Sequence, residues 1–81
     1  MITPDDLLQW TRRRPFVPFR LHVSDGTKYE IGHPELCMPG LSTAIVGLPR
    51  DPQKPIYERY EILSLMHIVR LEPLHAETAT A

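Results

Sequence analysis

The segment Phe19-Arg20-Leu21-His22-Val23-Ser24-Asp25-Gly26-Thr27-Lys28-Tyr29-Glu30-Ile31 limits the possible folds of this chain more than any other stretch. Apolar and polar residues alternate on both sides of Asp25-Gly26, the pattern of two half-buried strands joined by a turn. Their register can be argued from pairing. A two-residue loop would set Val23 opposite Lys28 and place apolar side chains against charged ones along the ladder. A three-residue loop, Ser24-Asp25-Gly26, instead pairs Val23 with Thr27, Leu21 with Tyr29 and Phe19 with Ile31. That is a type I turn with Gly26 in a left-handed bulge position. A slip of one residue would turn the whole apolar set outward, so the bulged register is the expected one.

Nine prolines exclude a helical bundle, because proline is kept out of helix interiors and central strands. One helix is nevertheless well signalled at the start. Thr3 can cap it, Pro4 suits the first helical position, and Asp5 and Asp6 lie at the positive end of its dipole. Ile2 and Leu7 occupy the positions of a hydrophobic staple. Leu7, Trp10 and Thr11 share one face, and Pro15 ends the helix near Arg13 or Arg14. Three turns are marginal alone in water, so Leu7 and Trp10 are expected to pack on a sheet.

Phe16-Val17-Pro18 bridges to the hairpin, and Gly32-His33-Pro34-Glu35 ends it. Leu36-Cys37-Met38 is short and apolar, and Pro39-Gly40 marks a turn. A third strand is expected over 41–48, and a polar, proline-stiffened loop over 50–55. Two further strands, 57–65 and 68–72, are joined tightly at Met66-His67. The later strands are apolar on both faces, Ala44 and Val46 against Ile45, Tyr60 and Ile62 against Leu63. Such strands are covered on both sides. The helix can cover part of that second face, and a partner chain the rest. The 81 residues make one domain with a thin core, over 1–73, and 74–81 read as a disordered tail.

A helix followed by five short strands, opened by this Asp-Gly hairpin with Tyr29 three residues after Gly26, resembles the Sm-like barrels of RNA-binding proteins. The resemblance implies a mainly β fold, a five-stranded antiparallel barrel capped by the N-terminal helix. It covers residues 5–72 in order of elements and 19–31 in motif. Ile31 stands where that family has a glycine, and Leu36-Cys37-Met38 supplies neither the Asp nor the Asn that hold the RNA base. The resemblance therefore carries the fold and not the base site. Residues 14–35 are similar to an Arg-Pro-Phe-x-Pro-Phe-Arg-x-His-x-x-Asp-Gly-x-x-Tyr-Glu-x-x-His-Pro-Glu pattern of small uncharacterised bacterial proteins. That similarity implies a bacterial origin and brings no activity with it.

Net charge is −1, which argues against a general nucleic-acid coat. Arg12, Arg13, Arg14 and Arg20 form the one basic cluster, interleaved with Trp10, Phe16 and Phe19. Stacking plus charge is how single strands are gripped. The competing reading is a solvated helix end beside core aromatics. His22, His33, His67 and His75 lack metal-ligand spacing, and surface or turn positions account for them better. Ser24 and Ser42 have no visible base, and His33-Pro34-Glu35 reads as a turn before a catalytic dyad. Cys37, the single cysteine, reads as a buried, inert thiol suited to a reducing cytoplasm. No apolar run approaches the ~20 residues of a membrane span, and no basic leader opens the chain. The expectation is a non-enzymatic interaction module with no catalytic residues, metal or cofactor. It would bind itself through an open edge of the third or fourth strand, or bind another protein. The alternative is a weak RNA-binding protein using Arg12–Arg14 and Arg20.

Overall fold

The computed structural model describes residues 1–74, and its helix starts where the capping residues place it. Thr3 is the N-cap of α1 (Pro4–Arg12). Its Oγ1 accepts from the Asp6 N–H at 3.1 Å, and Asp6 Oδ2 accepts from the Thr3 N–H at 2.8 Å. This capping box satisfies two N–H groups that the first turn leaves without partners. Hydrogen bonding from Thr3, first from its backbone N–H and then from its side chain, holds the Asp6 carboxyl below its ordinary range. Arg13 is already extended, and the chain turns through a cis Arg14–Pro15 bond. Leu7 is fully buried and packs in the core, as expected. Trp10 meets Phe19 edge-on, with ring centroids 5.3 Å apart, but is only half-buried. Its truncation should therefore cost less than the ~3–5 kcal/mol of an enclosed aromatic.

The hairpin has the expected register. β1 (Phe19–Val23) and β2 (Lys28–Ile31) pair Phe19 with Ile31 and Leu21 with Tyr29. The Val23 N–H donates to the Thr27 carbonyl at 2.9 Å, and Gly26 closes the loop at a φ of 93°. Asp25 Oδ1 accepts from the Thr27 N–H, which lowers the Asp25 pKa and stiffens the turn.

Beyond the hairpin the architecture departs from expectation. Four more strands follow, β3 (Cys37–Pro39), β4 (Thr43–Pro49), β5 (Tyr57–Ser64) and β6 (Ile68–Pro73). Together the six strands make two three-stranded antiparallel sheets, β2-β1-β6 and β3-β4-β5. The expected five-stranded Sm-like barrel is thus corrected: there is an additional strand, and the two sheets do not close on each other. The reason lies at the seams. From β2 the chain enters a 3₁₀ turn at Pro34–Leu36, and Pro34 has no N–H with which to continue a ladder. Another 3₁₀ turn, Leu65–His67, carries the chain from β5 into β6. The two strands expected to be closely joined therefore belong to different sheets. The Leu65–His67 corner is pinned at both ends by main-chain bonds, Ser24 N–H to the His67 carbonyl at 2.8 Å and Leu65 N–H to the Ser42 carbonyl at 2.9 Å.

The core lies between the sheets. Phe19, Leu21, Ile31 and Ile68 come from one, Cys37, Ala44 and Val46 from the other, and Leu7 and Leu65 join them from the helix and the second 3₁₀ turn. Of the expected tail, Leu74 is tied by its N–H to the Pro18 carbonyl at 2.8 Å. Residues 75–81, His75 included, lie outside the described residues. Among the described residues no helix is long and apolar enough to cross a membrane.

Candidate interaction surface on the second sheet

Strand alternation decides what each sheet shows to water. In β4 and β5 the inward residues Ala44, Val46, Glu61 and Leu63 leave Ile45, Gly47, Tyr60 and Ile62 on the outer face. Pairing aligns Met38, Ile45 and Ile62 in one row across the three strands and sets Gly47 beside Tyr60 in the next. Met38 is 59% exposed, Tyr60 57% and Ile62 61%, with Ile45 half-buried between them, so these rows present open apolar surface. Tyr57 and Tyr60 meet edge-to-face with centroids 6.2 Å apart at its rim.

A groove of about 360 Å³ runs over this face, with Leu36, Met38, Gly47 and Tyr60 among its walls. Its floor depends on Gly47. A Cβ there would stand 3.0 Å from Leu36 Cδ2 and 3.1 Å from Tyr57 Cβ, so a side chain would crowd the groove. The inner side of the same strand is anchored differently. The Tyr29 hydroxyl donates to Glu61 Oε1 at 3.1 Å across the core rim, and burial together with that bond raises the Tyr29 pKa. Tyr29 thus remains a neutral donor that holds β5 against the first sheet.

The edge beside this groove is β5. Its neighbour on one side is β4, and among the described residues nothing pairs with the other side. Of the two strands expected to offer an open edge, the one at β4 is central and paired on both sides, so that half of the expectation is corrected. The remaining edges are blunted. β2 carries Lys28 and Glu30, β3 has three residues ending in Pro39, and β6 carries an irregularity and ends in Pro73. β5 also carries charges, Glu58, Arg59 and Glu61, and an irregularity opposite Leu48 and Pro49, but it is the longest of the edge strands, with eight residues and no proline.

The sequence-nominated residues scatter. Arg20 faces away from Phe19, on the outer side of the first sheet. Its guanidinium donates to Glu30 Oε2 at 2.6 Å and Glu72 Oε1 at 3.4 Å, and the Glu30 bond is the main cause of its raised pKa. Arg12 lies in the last turn of α1, and Arg13 lies over the Trp10 ring at 4.8 Å. Arg14 donates to the Thr11 and Arg13 carbonyls. Arg20 is thus held by carboxylates on a sheet face, apart from the three arginines at the helix end. His22 Nε2 lies 2.8 Å from Glu72 Oε1, and His33 Nε2 lies 3.2 Å from the Pro52 carbonyl. Cys37 is buried, and desolvation pushes its thiol up to about 11. Among the described residues no cluster of His, Cys, Asp or Glu is placed to hold a metal ion.

Ser24 does have a base within reach, contrary to the sequence reading. Its Oγ lies 3.2 Å from His67 Nδ1. The fold explains the contact, since the same two residues share the main-chain bond that pins the hairpin to the Leu65–His67 corner. Nearby loop N–H groups are already engaged, Gly26 by the Val23 carbonyl and Thr27 by Asp25. They are not free to receive an oxyanion. The pair was invisible in sequence because 43 residues separate its members. No protein-family model matches this chain, and neither a curated protein nor a solved structure matches it.

Proposed function

We propose that this protein is a non-enzymatic interaction module that associates with a second copy of itself along β5. The observation that carries the reading is the coincidence of an unpaired, proline-free edge with an exposed apolar face on the same strand. An edge strand offers a row of unpaired N–H and C=O groups, and a second strand satisfies them. Tyr60 and Ile62, on the edge strand itself, supply apolar area that meets the second copy across the seam. Neither contribution is chiefly ionic, so the association should survive high salt.

Sedimentation equilibrium over a concentration series, at low and high salt, tests this. The expected result is a concentration-dependent rise above monomer mass that persists in high salt and weakens in Ile62→Lys. A chain that stays monomeric at high micromolar concentration overturns it. Tight RNA binding by that monomer, falling steeply with salt, would assign the function to Arg12, Arg13, Arg14 and Arg20 instead.

A further inference from the structure

We infer that the two copies pair β5 against β5 antiparallel, about a two-fold axis midway between their Tyr60 residues. This rests on the self-association reading above and specifies its geometry. A two-fold interface is isologous: if one residue faces another, the second faces the first. Residues directly opposite in an antiparallel pair also share one face of the sheet. The axis therefore stands perpendicular to the sheet and passes midway between a residue and its own copy.

The β5 sequence, Tyr57-Glu58-Arg59-Tyr60-Glu61-Ile62-Leu63-Ser64, discriminates among the candidate centres. Centring on Glu58, Arg59 or Glu61 sets a charge against its own copy, and like charges directly opposite are destabilising. Centring on Ile62 sets Glu61 against Leu63 and Tyr60 against Ser64, leaving the carboxylate without a cation across the seam. Centring on Tyr60 sets Arg59 against Glu61 of the second copy, twice over. Of these registers it is the one that matches opposite charges.

The chain's own geometry prepares that match. Arg59 Nη1 and Glu61 Oε2 lie 3.9 Å apart on one face of β5, so the four charges of a dimer would alternate in sign around the axis. Glu58, skipped where Leu48 pairs with Arg59 and Pro49 with Tyr57, already has a partner in Arg50 at 2.7 Å. On the outer side the two Tyr60 rings meet at the axis. The Met38, Ile45 and Ile62 rows then extend from both sides into one apolar face. The charges on this edge act as selectors. They penalise the registers centred on Glu58, Arg59 or Glu61 and favour the one centred on Tyr60.

Two measurements test this register. In sedimentation equilibrium, Arg59→Glu alone sets Glu against Glu, and Glu61→Arg alone sets Arg against Arg. Each should self-associate about tenfold more weakly than wild type. Glu61→Arg also loses the Tyr29 bond. Mixed, the two variants place opposite charges at both contacts and should form a heterodimer about tenfold tighter than either homodimer, a rescue that a folding defect would not produce. In an oxidation assay, Tyr60→Cys should cross-link into a covalent dimer, since opposite Cα atoms ~4.5–5.5 Å apart suit a disulfide. Ile62→Cys should not, because its two copies would be about 14 Å apart. Cys37, buried with its thiol pushed up to about 11, should stay out of the reaction. A wild-type dimer with no cross-link at Tyr60 and no rescue on mixing overturns the register and leaves self-association standing. A wild-type chain that is monomeric at high micromolar concentration overturns both.

Discussion

The outer face of β2-β1-β6 and the outer face of β3-β4-β5 are built alike, from three antiparallel strands with apolar side chains turned inward. Their outward rows differ completely. On the first sheet, Glu30, Arg20 and Glu72 align across the strands, and Lys28, His22 and Arg70 form the next row. These charges answer one another within the sheet. Arg20 reaches both Glu30 and Glu72, and Glu72 is approached by His22 and Arg70 as well. On the second sheet the matching rows are Met38-Ile45-Ile62 and Gly47-Tyr60. A charged face satisfied by its own neighbours is complete in water, whereas an apolar face beside an open edge gains from being covered. The comparison thus separates a face that finishes the fold from a face available for binding.

The largest expected effect tests whether the two faces belong to one cooperative unit. Phe19 is fully buried and touches both Trp10 and Phe16 edge-on. Phe19→Ala should destabilise by ~3–5 kcal/mol, with both sheets lost in a single urea transition. Two separate transitions would show that the sheets fold independently, and the comparison would then be between two modules.

Next in size is the apolar face itself. Gly47→Val must fit its side chain against Leu36 and Tyr57, and should cost about 1–3 kcal/mol in the same denaturation experiment. A neutral outcome would mean that the groove floor yields easily and that its shape is not specified by Gly47. In the first sheet, Gly26→Val should cost about 1–2 kcal/mol for a different reason. Nothing lies near a Cβ built at Gly26, so the cost there is backbone strain at positive φ. Asn at Gly26, which tolerates that conformation, should recover part of the loss in thermal melts.

The smallest effect concerns the charged face. The hydrogen bond from His22, with Arg20 and Arg70 nearby, holds the Glu72 carboxyl below its ordinary range. Its folded pKa is lowered, so its stabilisation is present above the ordinary carboxylate range and is lost as pH falls through the folded value. Glu72→Gln should therefore make the acid limb of the stability profile shallower. It should not abolish that limb, because Asp6 and Asp25 are lowered in the same way. An unchanged acid slope would show that the charges of this face do not contribute to stability.

Much of the first sheet was legible before the structure. The Thr3-Pro4 start, the helix stop at Pro15 and the hairpin register all rest on contacts within a dozen residues. Local propensity and alternation are informative at that range. Only part of the candidate surface could be read that way. Apolar residues on both parities of the later strands signalled that two faces needed cover. Which residues faced out, and which strand kept a free edge, depended on pairings such as Ile45 with Ile62 and Leu21 with Leu71. β3 escaped notice because three residues are too few for a period, and the Ser24–His67 contact because its members lie far apart in the chain.

The sequence alone determined the helix, the bulged turn at Gly26, the burial of Cys37 and the inward set Phe19, Leu21 and Ile31. Steric and hydrogen-bonding rules act on neighbours, and the neighbours are written in the chain. Only the tertiary structure decided that two corners, Pro34–Leu36 and Leu65–His67, divide six strands into two sheets instead of closing a barrel. It also decided that β1 pairs with β6 and that β5 is left open. Those outcomes follow from which distant strands fill each other's backbone hydrogen bonds around a shared core, and that competition is settled only when the whole chain has packed.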